Sequence, residues 1–500
     1  MRKYLFYVAL FLLILVFSMN VGSFDADLWA RLIAGMGVID GGHVLTQDFL
    51  SYTPTHTWYD HEWGSGVIFY LFLKYFGAYS LILLQAVMIF GIFFIITKTV
   101  ELKSQKPHNI AFYIFAVMAV LPTLNNPIRC HLFSFLFFTL FLYILEKVRL
   151  GHKKILFLIP IITLFWGNIH GGVVSGIGLL LIYTLGEFLN KKSFKEYLIT
   201  FFASTITLFI NPWGIDYVKF LIMANSMQRP YIVEWYGIFS KFYFTKHLVF
   251  KAFILTTMTA EVILFIKNTK NSFSEIYTKT DKTKVLLLLT TLYLGIIHLK
   301  LIPFFAICAA CFVYNDFYEL VKDIKLPEWK DKCIYALLFI FITLSFLTKD
   351  YSLPVGFDKY PVKEVEFIKN NKLSGNILTN FGFGSYVAYK LYPQNKIFMD
   401  GRYEEVYYDY MVPILKEFFL NTNPQLILTN FKPDIMIIEH DYPIYNALMK
   451  SHNWKEIFTG KLFSVFIKKE KDKNKKYIQP TNDMDYYKNS LFTTDINFKL

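Results

Sequence analysis

Long apolar runs constrain this 500-residue chain more than any other feature of its sequence. A helix needs about 17 to 25 predominantly apolar residues to cross a bilayer. With 55% hydrophobic and only 18% charged residues, an ordinary soluble enzyme is excluded because too much apolar surface would face water. We therefore predict a polytopic α-helical membrane protein with about eleven spans, near residues 4–20, 79–99, 109–123, 131–148, 155–169, 172–190, 197–211, 248–267, 285–299, 301–319 and 333–348.

The net charge of +13 follows the gaps between these runs. Lysine and arginine concentrate in alternate gaps, as they do in cytoplasmic loops. This pattern predicts a cytoplasmic N-terminus and an extracytoplasmic C-terminus, and it provides no basic patch for nucleic acid. The first run follows Arg2 and Lys3, as a signal peptide would, but it lacks a clear small-x-small cleavage site. An uncleaved anchor is the favoured interpretation.

The hydropathy pattern divides the chain into three parts. Residues 1–348 are predicted to form the membrane domain, with long external loops at 21–63 and 212–247. Residues 349–467 alternate short β-rich runs with helical patterns, which predicts an extracytoplasmic α/β domain. The strand candidates are 376–379, 396–399, 434–438 and 463–467. Residues 468–500 are rich in lysine and asparagine and are predicted to be a mobile tail.

Two acidic residues follow the first apolar run directly. Asp25 and Asp27 would emerge at the headgroup layer, where a carboxylate suits a general base or a cation ligand beside a lipid phosphate. Alternatively, both acids cap a helix that begins near Leu28. Further along the same loop, Asp48, His61 and Glu62 are candidate substrate contacts, although a helix cap explains the last two equally well.

Polar side chains near the outer ends of the spans form a second group of candidates. A charged side chain costs about 2.5 to 3.5 kcal/mol at the centre of a membrane helix, so its presence there is informative. Cationic members could hold a lipid-linked phosphate, whereas each of them alone is also explained by snorkelling to the interface. The group comprises Arg129, His131, Asn168, His170 and Lys300.

Three other polar residues each allow two interpretations. Glu234 in the second long loop is either a second active-site carboxylate or the partner of Arg229 in an ion pair. Asp400 and Arg402 follow a predicted strand, where they recognise substrate or stabilise a turn. The sequence contains no phosphate-binding loop, no G-x-S-x-G, no H-E-x-x-H and no zinc-ligand spacing. Its four cysteines lie in or beside apolar runs and predict packing residues, not disulfides.

This arrangement resembles the GT-C superfamily of membrane glycosyltransferases, and in particular a group of bacterial multispanning GT-C-like proteins. The matching pieces cover most of the chain: Asp25-Ala26-Asp27-Leu28-Trp29, Asp48-Phe49-Leu50-Ser51-Tyr52, His61-Glu62-Trp63, Trp166-Gly167-Asn168-Ile169-His170-Gly171-Gly172, Asn211-Pro212-Trp213-Gly214 and Glu234-Trp235. A more distant likeness is to oligosaccharyltransferase catalytic subunits, through Phe24, Asp25 and Arg31. Ala26 replaces the proline of that family, and the family's Trp-Trp-Asp-Tyr-Gly region has only a loose counterpart at residues 380–386.

The resemblance implies a transferase in the bacterial inner membrane that acts on the external side. The donor would be a polyprenyl-phosphate sugar between the spans, and the acceptor a glycan, a lipid or a protein. Asp25 or Asp27 would deprotonate or orient the acceptor hydroxyl, while Arg129, His131 or Lys300 would stabilise the leaving phosphate. A divalent cation such as Mg²⁺ or Mn²⁺ at the acids is compatible with this likeness.

Two other functions stay open from the sequence. Many spans with buried polar residues also fit a lipid or glycan transporter, a flippase, although no internal repeat is visible. The other is a catalytically inactive GT-C-like scaffold that binds glycan or protein through residues 350–467.

Overall fold

The computed structural model describes residues 2–19, 24, 26–103, 128–230, 232–268, 278, 280–321, 330–348, 353, 360–472 and 476–498. Its helices are α1 (Arg2–Ser18), α2 (Ala26–Ile39), α3 (Trp63–Phe76), α4 (Tyr79–Lys103), α5 (His131–Arg149), α6 (Leu158–Ile169), α7 (Val174–Leu189), α8 (Lys195–Thr207), α9 (Ile215–Ser226), α10 (Leu248–Asn268), α11 (Lys282–Ile297), α12 (Ile302–Phe312), α13 (Tyr314–Val321), α14 (Lys330–Thr348), α15 (Val362–Asn370), α16 (Phe381–Leu391), α17 (Tyr403–Val406), α18 (Met411–Phe419), α19 (Pro424–Asn430), α20 (Pro443–Met449) and α21 (Met484–Ser490). The strands are β1 (Gly375–Leu378), β2 (Asn395–Ile397), β3 (Ile435–Glu439), β4 (Trp454–Thr459) and β5 (Phe463–Lys468).

The chain forms two compact units. The helical unit consists of Met1–Met19, Ile82–Asn126 and Cys130–Asp350, and the mixed unit consists of Asn20–Leu81, Pro127–Arg129 and Tyr351–Leu500. The first predicted loop therefore folds in the same unit as the C-terminal region. Apolar patterning does not reveal this relation, because it arises from contacts between segments that are far apart in sequence.

Among the described residues, four helices are long and apolar enough to cross a membrane: Tyr79–Leu102, His131–Arg149, Gly171–Leu189 and Leu248–Ile266. Shorter apolar helices lie at Tyr4–Ser18, Leu299–Phe312 and Phe339–Thr348. The predicted runs at 155–169, 197–211 and 285–299 form α6, α8 and α11. The run at 109–123 lies outside the described residues, so the count of eleven spans stays a prediction.

A partly buried ionic cluster joins three helices of the helical unit. Arg149 of α5 contacts Glu187 of α7 at 3.0 Å and Asp281, the N-cap of α11, at 2.9 Å. The Tyr183 hydroxyl donates to Glu146 at 2.6 Å. Since buried charges are stable only when they are paired and hydrogen-bonded, this cluster fixes the relative positions of these helices.

A five-stranded sheet with the order β2-β1-β3-β5-β4 lies in the mixed unit. β1 runs parallel to β2 and β3, while β5 is antiparallel to β3 and β4. Ile377 of β1 pairs with Ile397 on one side and with Ile435 on the other. β3 and β5 are almost fully buried, and β1 is buried at Ile377 and Leu378, as is typical of a sheet covered by helices. The four predicted strand segments overlap β1, β2, β3 and β5, whereas β4 was not predicted.

Helix α2 occupies the core of the mixed unit. Its residues from Leu28 to Gly37 are all buried, and the Trp29 ring packs against Tyr386 and Tyr389 of α16. Two glycines allow α3 to approach closely. A methyl group on Gly35 would lie 2.2 Å from the Gly66 carbonyl oxygen, a distance that no side chain tolerates.

The described part of the tail packs against the mixed unit. Tyr487 and Leu491 are buried, and the Phe492 ring contacts Trp29. The Lys390 ammonium donates to the carbonyls of Ser490 at 2.7 Å and Thr493 at 2.9 Å. This packing differs from the mobile tail expected from composition, because a few aromatic and aliphatic anchors outweigh the polar residues between them.

Candidate active site

Asp27 is the exposed acid of the candidate site. It lies in the first turn of α2, where the positive end of the helix dipole favours a carboxylate. Its Oδ2 is 3.3 Å from Nε of Arg129, and its side chain is 40% exposed, whereas that of Arg129 is 18% exposed. The structure thus brings together two of the predicted site residues. Asp25 lies outside the described residues.

The loop after β2 approaches Asp27 through a glycine. A methyl group on Gly401 would lie 3.1 Å from Oδ1 of Asp27, which is tighter than most real contacts. A larger residue at position 401 would therefore displace the carboxylate. This loop and Arg129 together restrict the positions that the Asp27 carboxylate can take.

Arg31 follows Asp27 by four residues, so both side chains lie on the same face of α2. Its buried guanidinium forms ion pairs with Asp60, with Glu405 at 2.8 Å and with Glu62 at 3.5 Å. Trp58 Nε1 donates to the same Glu405 oxygen at 2.8 Å. One arginine therefore joins α2 to the end of the first loop and to α17.

His61 lies between two of these carboxylates. Its Nδ1 is 3.3 Å from Oε1 of Glu405, and its Nε2 is 3.5 Å from Oε1 of Glu62. The side chains of His61 and Glu62 are 16% and 14% exposed, so this edge of the cluster reaches the surface. These three residues form a group of side chains that could hold a metal ion within the mixed unit.

Carboxylates outnumber the cations in this buried cluster. Asp60, Glu62 and Glu405 surround the single guanidinium of Arg31. Burial raises the pKa of Glu405 well above its usual range; Arg31 opposes this shift, and the neighbouring acids Asp60 and Glu62 add to it. A proton or another cation would relieve the excess negative charge.

Asp48 belongs to a separate buried network. Its side chain is fully buried, and Oδ1 accepts from Nη1 of Arg402 at 2.7 Å. Nε of Arg402 donates to Asp400 at 2.9 Å, and its guanidinium lies over the Trp58 ring. Burial alone would raise the pKa of Asp48, but Arg402 and hydrogen bonds from Ser51 and Leu50 hold it below its usual value. This correction moves Asp48 from substrate binding to a structural role, because no substrate reaches a fully buried carboxylate.

The contacts of Arg402 and Asp400 favour the turn-stabilising role over substrate recognition. Arg402 bridges the first loop to the segment that follows β2, and Tyr407 donates to Asp400 at 3.3 Å. Both side chains are buried, and the network stabilises a turn.

Within the helical unit, His170 has a defined tautomer. Its Nδ1 lies 3.0 Å from the Gly172 amide, which donates to it, and 2.6 Å from the Ser134 hydroxyl. Trp166 Nε1 donates to the same hydroxyl at 2.7 Å. The hydroxyl therefore donates to Nδ1, and the ring proton lies on Nε2. The predicted residue His170 thus holds the break between α6 and α7.

Asn168 and His131, also in the helical unit, have different surroundings. The Asn168 amide donates to the carbonyls of Leu164 and Ile210, both at 2.9 Å, so it secures the end of α6. His131 begins α5, is buried, and packs edge-on against Phe135.

Lys300 and Glu234 lie near a single aromatic ring. Lys300 Nζ is 5.7 Å from the centre of the Trp235 ring, and the Arg229 guanidinium lies 4.3 Å from it. His298 Nδ1 is 2.8 Å from the Trp235 carbonyl oxygen, which fixes the loop next to the break between α11 and α12. Glu234 precedes this ring in a short 3-10 turn.

Sequence reasoning missed the residue that completes the mixed-unit cluster. Glu405 is 374 positions from Arg31, and nothing in the local pattern around it differs from an ordinary exposed helix start. Arg31 was noted in the sequence and Asp60 directly precedes the noted His61-Glu62 pair, yet only the fold shows that Arg31 and Asp60 pair. The sequence signal for this cluster was the segment Asp60-His61-Glu62, which has more acidic residues than a helix cap requires.

Comparison with known proteins gives a fold. No protein-family profile matches the sequence, and no curated protein matches it. Among solved structures, the arabinofuranosyltransferase AftD from Mycobacteria matches 93% of this chain with a TM-score of 0.54 and 12% identity. The archaeal oligosaccharyltransferase AglB from Archaeoglobus fulgidus, solved in complex with an inhibitory peptide and a dolichol-phosphate, matches 88% with a TM-score of 0.55 and 11% identity. The match spans 40% of the length of AftD and 70% of the length of AglB. These structural neighbours are GT-C glycosyltransferases, and the chain shares their fold.

Proposed function

We propose that this protein is a membrane glycosyltransferase that moves a sugar from a polyprenyl-phosphate-linked donor to an acceptor on the extracytoplasmic side of the cytoplasmic membrane. The observation that carries the proposal is the pair of Asp27 and Arg129. The Asp27 carboxylate lies 3.3 Å from the Arg129 guanidinium. Asp27 is on α2, and the buried ion pairs of Arg31 fix the position of this helix. This pair occurs in a chain with the GT-C fold.

Asp27 acts on the acceptor. Its carboxylate accepts the proton of the acceptor hydroxyl as the oxygen attacks the anomeric carbon of the donor sugar. A new glycosidic bond forms, the bond from that carbon to the phosphate oxygen breaks, and polyprenyl phosphate leaves with the bonding electrons. General base catalysis of this kind contributes about 10²- to 10⁴-fold.

Arg129 has two consecutive tasks. Before reaction, its contact with Oδ2 orients the Asp27 carboxylate. During reaction, the guanidinium offers charge-assisted hydrogen bonds to developing negative charge on the leaving phosphate. The acceptor is a glycan, a lipid or a protein with a nucleophilic group.

The helical unit has its own candidate contact with a lipid-linked phosphate. Lys300 beside Trp235 is the proposed phosphate contact of that unit, because a lysine at a break between two apolar helices can present its charge to a lipid-linked phosphate. His131, Asn168, His170 and Glu234 stay proposed donor contacts, and for His131, Asn168 and His170 this role would add to the structural contacts described above.

The test uses purified full-length protein in lipid nanodiscs with a panel of radiolabelled polyprenyl-phosphate sugars and envelope extracts as acceptors. We expect release of polyprenyl phosphate and labelled product, both abolished by Asp27→Asn. The matched control is Asp485→Asn, because the Asp485 side chain is 80% exposed on the mixed unit and outside the site. Movement of intact donor across a vesicle membrane would instead identify a transporter, and binding without turnover would identify a scaffold.

A further inference from the structure

The carboxylates of Glu62 and Glu405 share one pattern of contacts. In each of them Oε2 faces Arg31, at 3.5 Å and 2.8 Å, while Oε1 faces the His61 ring, at 3.5 Å and 3.3 Å. Arg31 therefore contacts the Oε2 atom of each glutamate, and the Oε1 atom of each is directed at the imidazole of His61. Metal sites commonly have this arrangement, with an outer partner that orients a ligating carboxylate.

Asp60 supplies a second, independent observation. The residue is only 1% exposed, and its Oδ2 has no hydrogen-bond partner among the described residues. Its Oδ1 accepts from the Glu62 amide at 2.9 Å and pairs with Arg31. A buried carboxylate oxygen without a donor is costly, and this acid adds negative charge beside Arg31 and Glu62.

We propose that His61, Glu62 and Glu405 bind a divalent metal ion of the Mn²⁺ or Zn²⁺ class. One ligand atom from each residue lies within 4.8 Å of the others. With metal–ligand bonds of about 2.0 to 2.2 Å, ligand atoms lie about 3 to 4.4 Å apart, so small side-chain movements complete the site. A set of two carboxylates and one imidazole favours these ions over Mg²⁺, which prefers oxygen ligands alone.

The ion would join distant parts of the mixed unit. His61 and Glu62 end the first loop, Glu405 belongs to α17, and Arg31 connects the set to α2 one turn after Asp27. The partial exposure of His61 and Glu62 provides the entry path. This proposal goes beyond sugar transfer, because the ion binds without donor or acceptor and holds the segment that carries Asp27.

The test measures metal binding with no donor present. Full-length protein in detergent is stripped with a chelator and titrated with Mn²⁺ under electron paramagnetic resonance. We expect a stoichiometric site whose electron spin-echo modulation shows one coupled ¹⁴N nucleus, and displacement of Mn²⁺ by Zn²⁺. His61→Gln should remove the nitrogen coupling, and His61→Gln and Glu62→Gln should each weaken binding by at least about tenfold. His43→Gln, at an exposed histidine of the same unit, should leave both unchanged.

Thermal unfolding keeps the test informative if a variant is destabilised. Mn²⁺ should raise the melting temperature of the native protein and of His43→Gln, but not that of His61→Gln. Absence of a stoichiometric Mn²⁺ site, or a site that His61→Gln and Glu62→Gln leave intact, would overturn the proposal and leave the cluster balanced by bound protons. Because turnover is measured separately, loss of the metal site does not decide whether the protein is a transferase.

Discussion

Arg31 and Glu405, which are 374 positions apart, form a buried ion pair with 2.8 Å between Nη2 and Oε2. This pair connects the helix that carries Asp27 to a short helix of the C-terminal sequence. It also makes the position of α2 depend on the packing of the whole mixed unit. A site built in this way is positioned by the core of the unit and not by a surface loop.

Removal of the Arg31 charge should destabilise the protein strongly. Arg31→Met leaves Asp60, Glu62 and Glu405 without their shared cation, and breaking a buried pair from one side costs about 3 to 5 kcal/mol. Lys153→Met is the control, since Lys153 pairs with Glu196 at the surface, where about 0 to 1 kcal/mol is expected. Thermal unfolding in detergent measures both variants. Equal melting temperatures would show that Arg31 is not a structural cation.

Glu364 should give the protein a pH-dependent stability. Burial raises the pKa of Glu364 to about 7 from its usual 4.5. The folded state therefore holds an extra proton between these values, so stability is complete below pH 4.5 and falls as pH rises through 7. Glu364→Gln should remove this decline and stabilise the protein by about 1 to 3 kcal/mol at pH 8. Melting temperatures from pH 5 to 8 measure the effect, and Glu417→Gln, at an exposed acid, is the control. Parallel pH profiles for native protein and Glu364→Gln would contradict the prediction.

Gly401→Ala should lower sugar transfer without unfolding the protein. The added methyl group would meet Oδ1 of Asp27 at 3.1 Å and move the carboxylate by a few tenths of an ångström. A displacement of this size should reduce turnover by about two- to tenfold, since catalysis is sensitive to small errors of position. Gly382→Ala is the matched control, because its methyl group would lie 3.8 Å from its nearest neighbour. Initial rates with a saturating donor measure the effect; equal rates for the two variants would place Asp27 away from the reaction.

Much of the fold follows from local sequence pattern. Apolar length predicted the long helices α4, α5 and α10, and short β-rich runs predicted β1, β2, β3 and β5. β4 was not predicted because its segment Trp454–Thr459 places Lys455 and Glu456 side by side. These two charges interrupt the apolar alternation of a half-buried strand. The tail differed for a similar reason, because Phe492 and Leu491 are isolated anchors in a polar segment.

The candidate site was only partly predictable. Asp27 and Arg129 were predicted by their places beside apolar runs, and the structure pairs them. Asp48 was assigned to substrate because the sequence does not show that Arg402 will bury it. Glu405 had no local signal at all. Residues that act through partners hundreds of positions away become visible only when the chain is folded.

The measurement that tests the central claim most directly is the single-turnover rate of donor cleavage by native protein, Asp27→Asn and Asp27→Glu with one productive polyprenyl-phosphate sugar. A general base at position 27 predicts a loss of about 10²- to 10⁴-fold for Asp27→Asn and partial recovery for Asp27→Glu. Both variants should keep the native melting temperature, because the Asp27 side chain is 40% exposed. Native rates in folded Asp27→Asn would contradict the account.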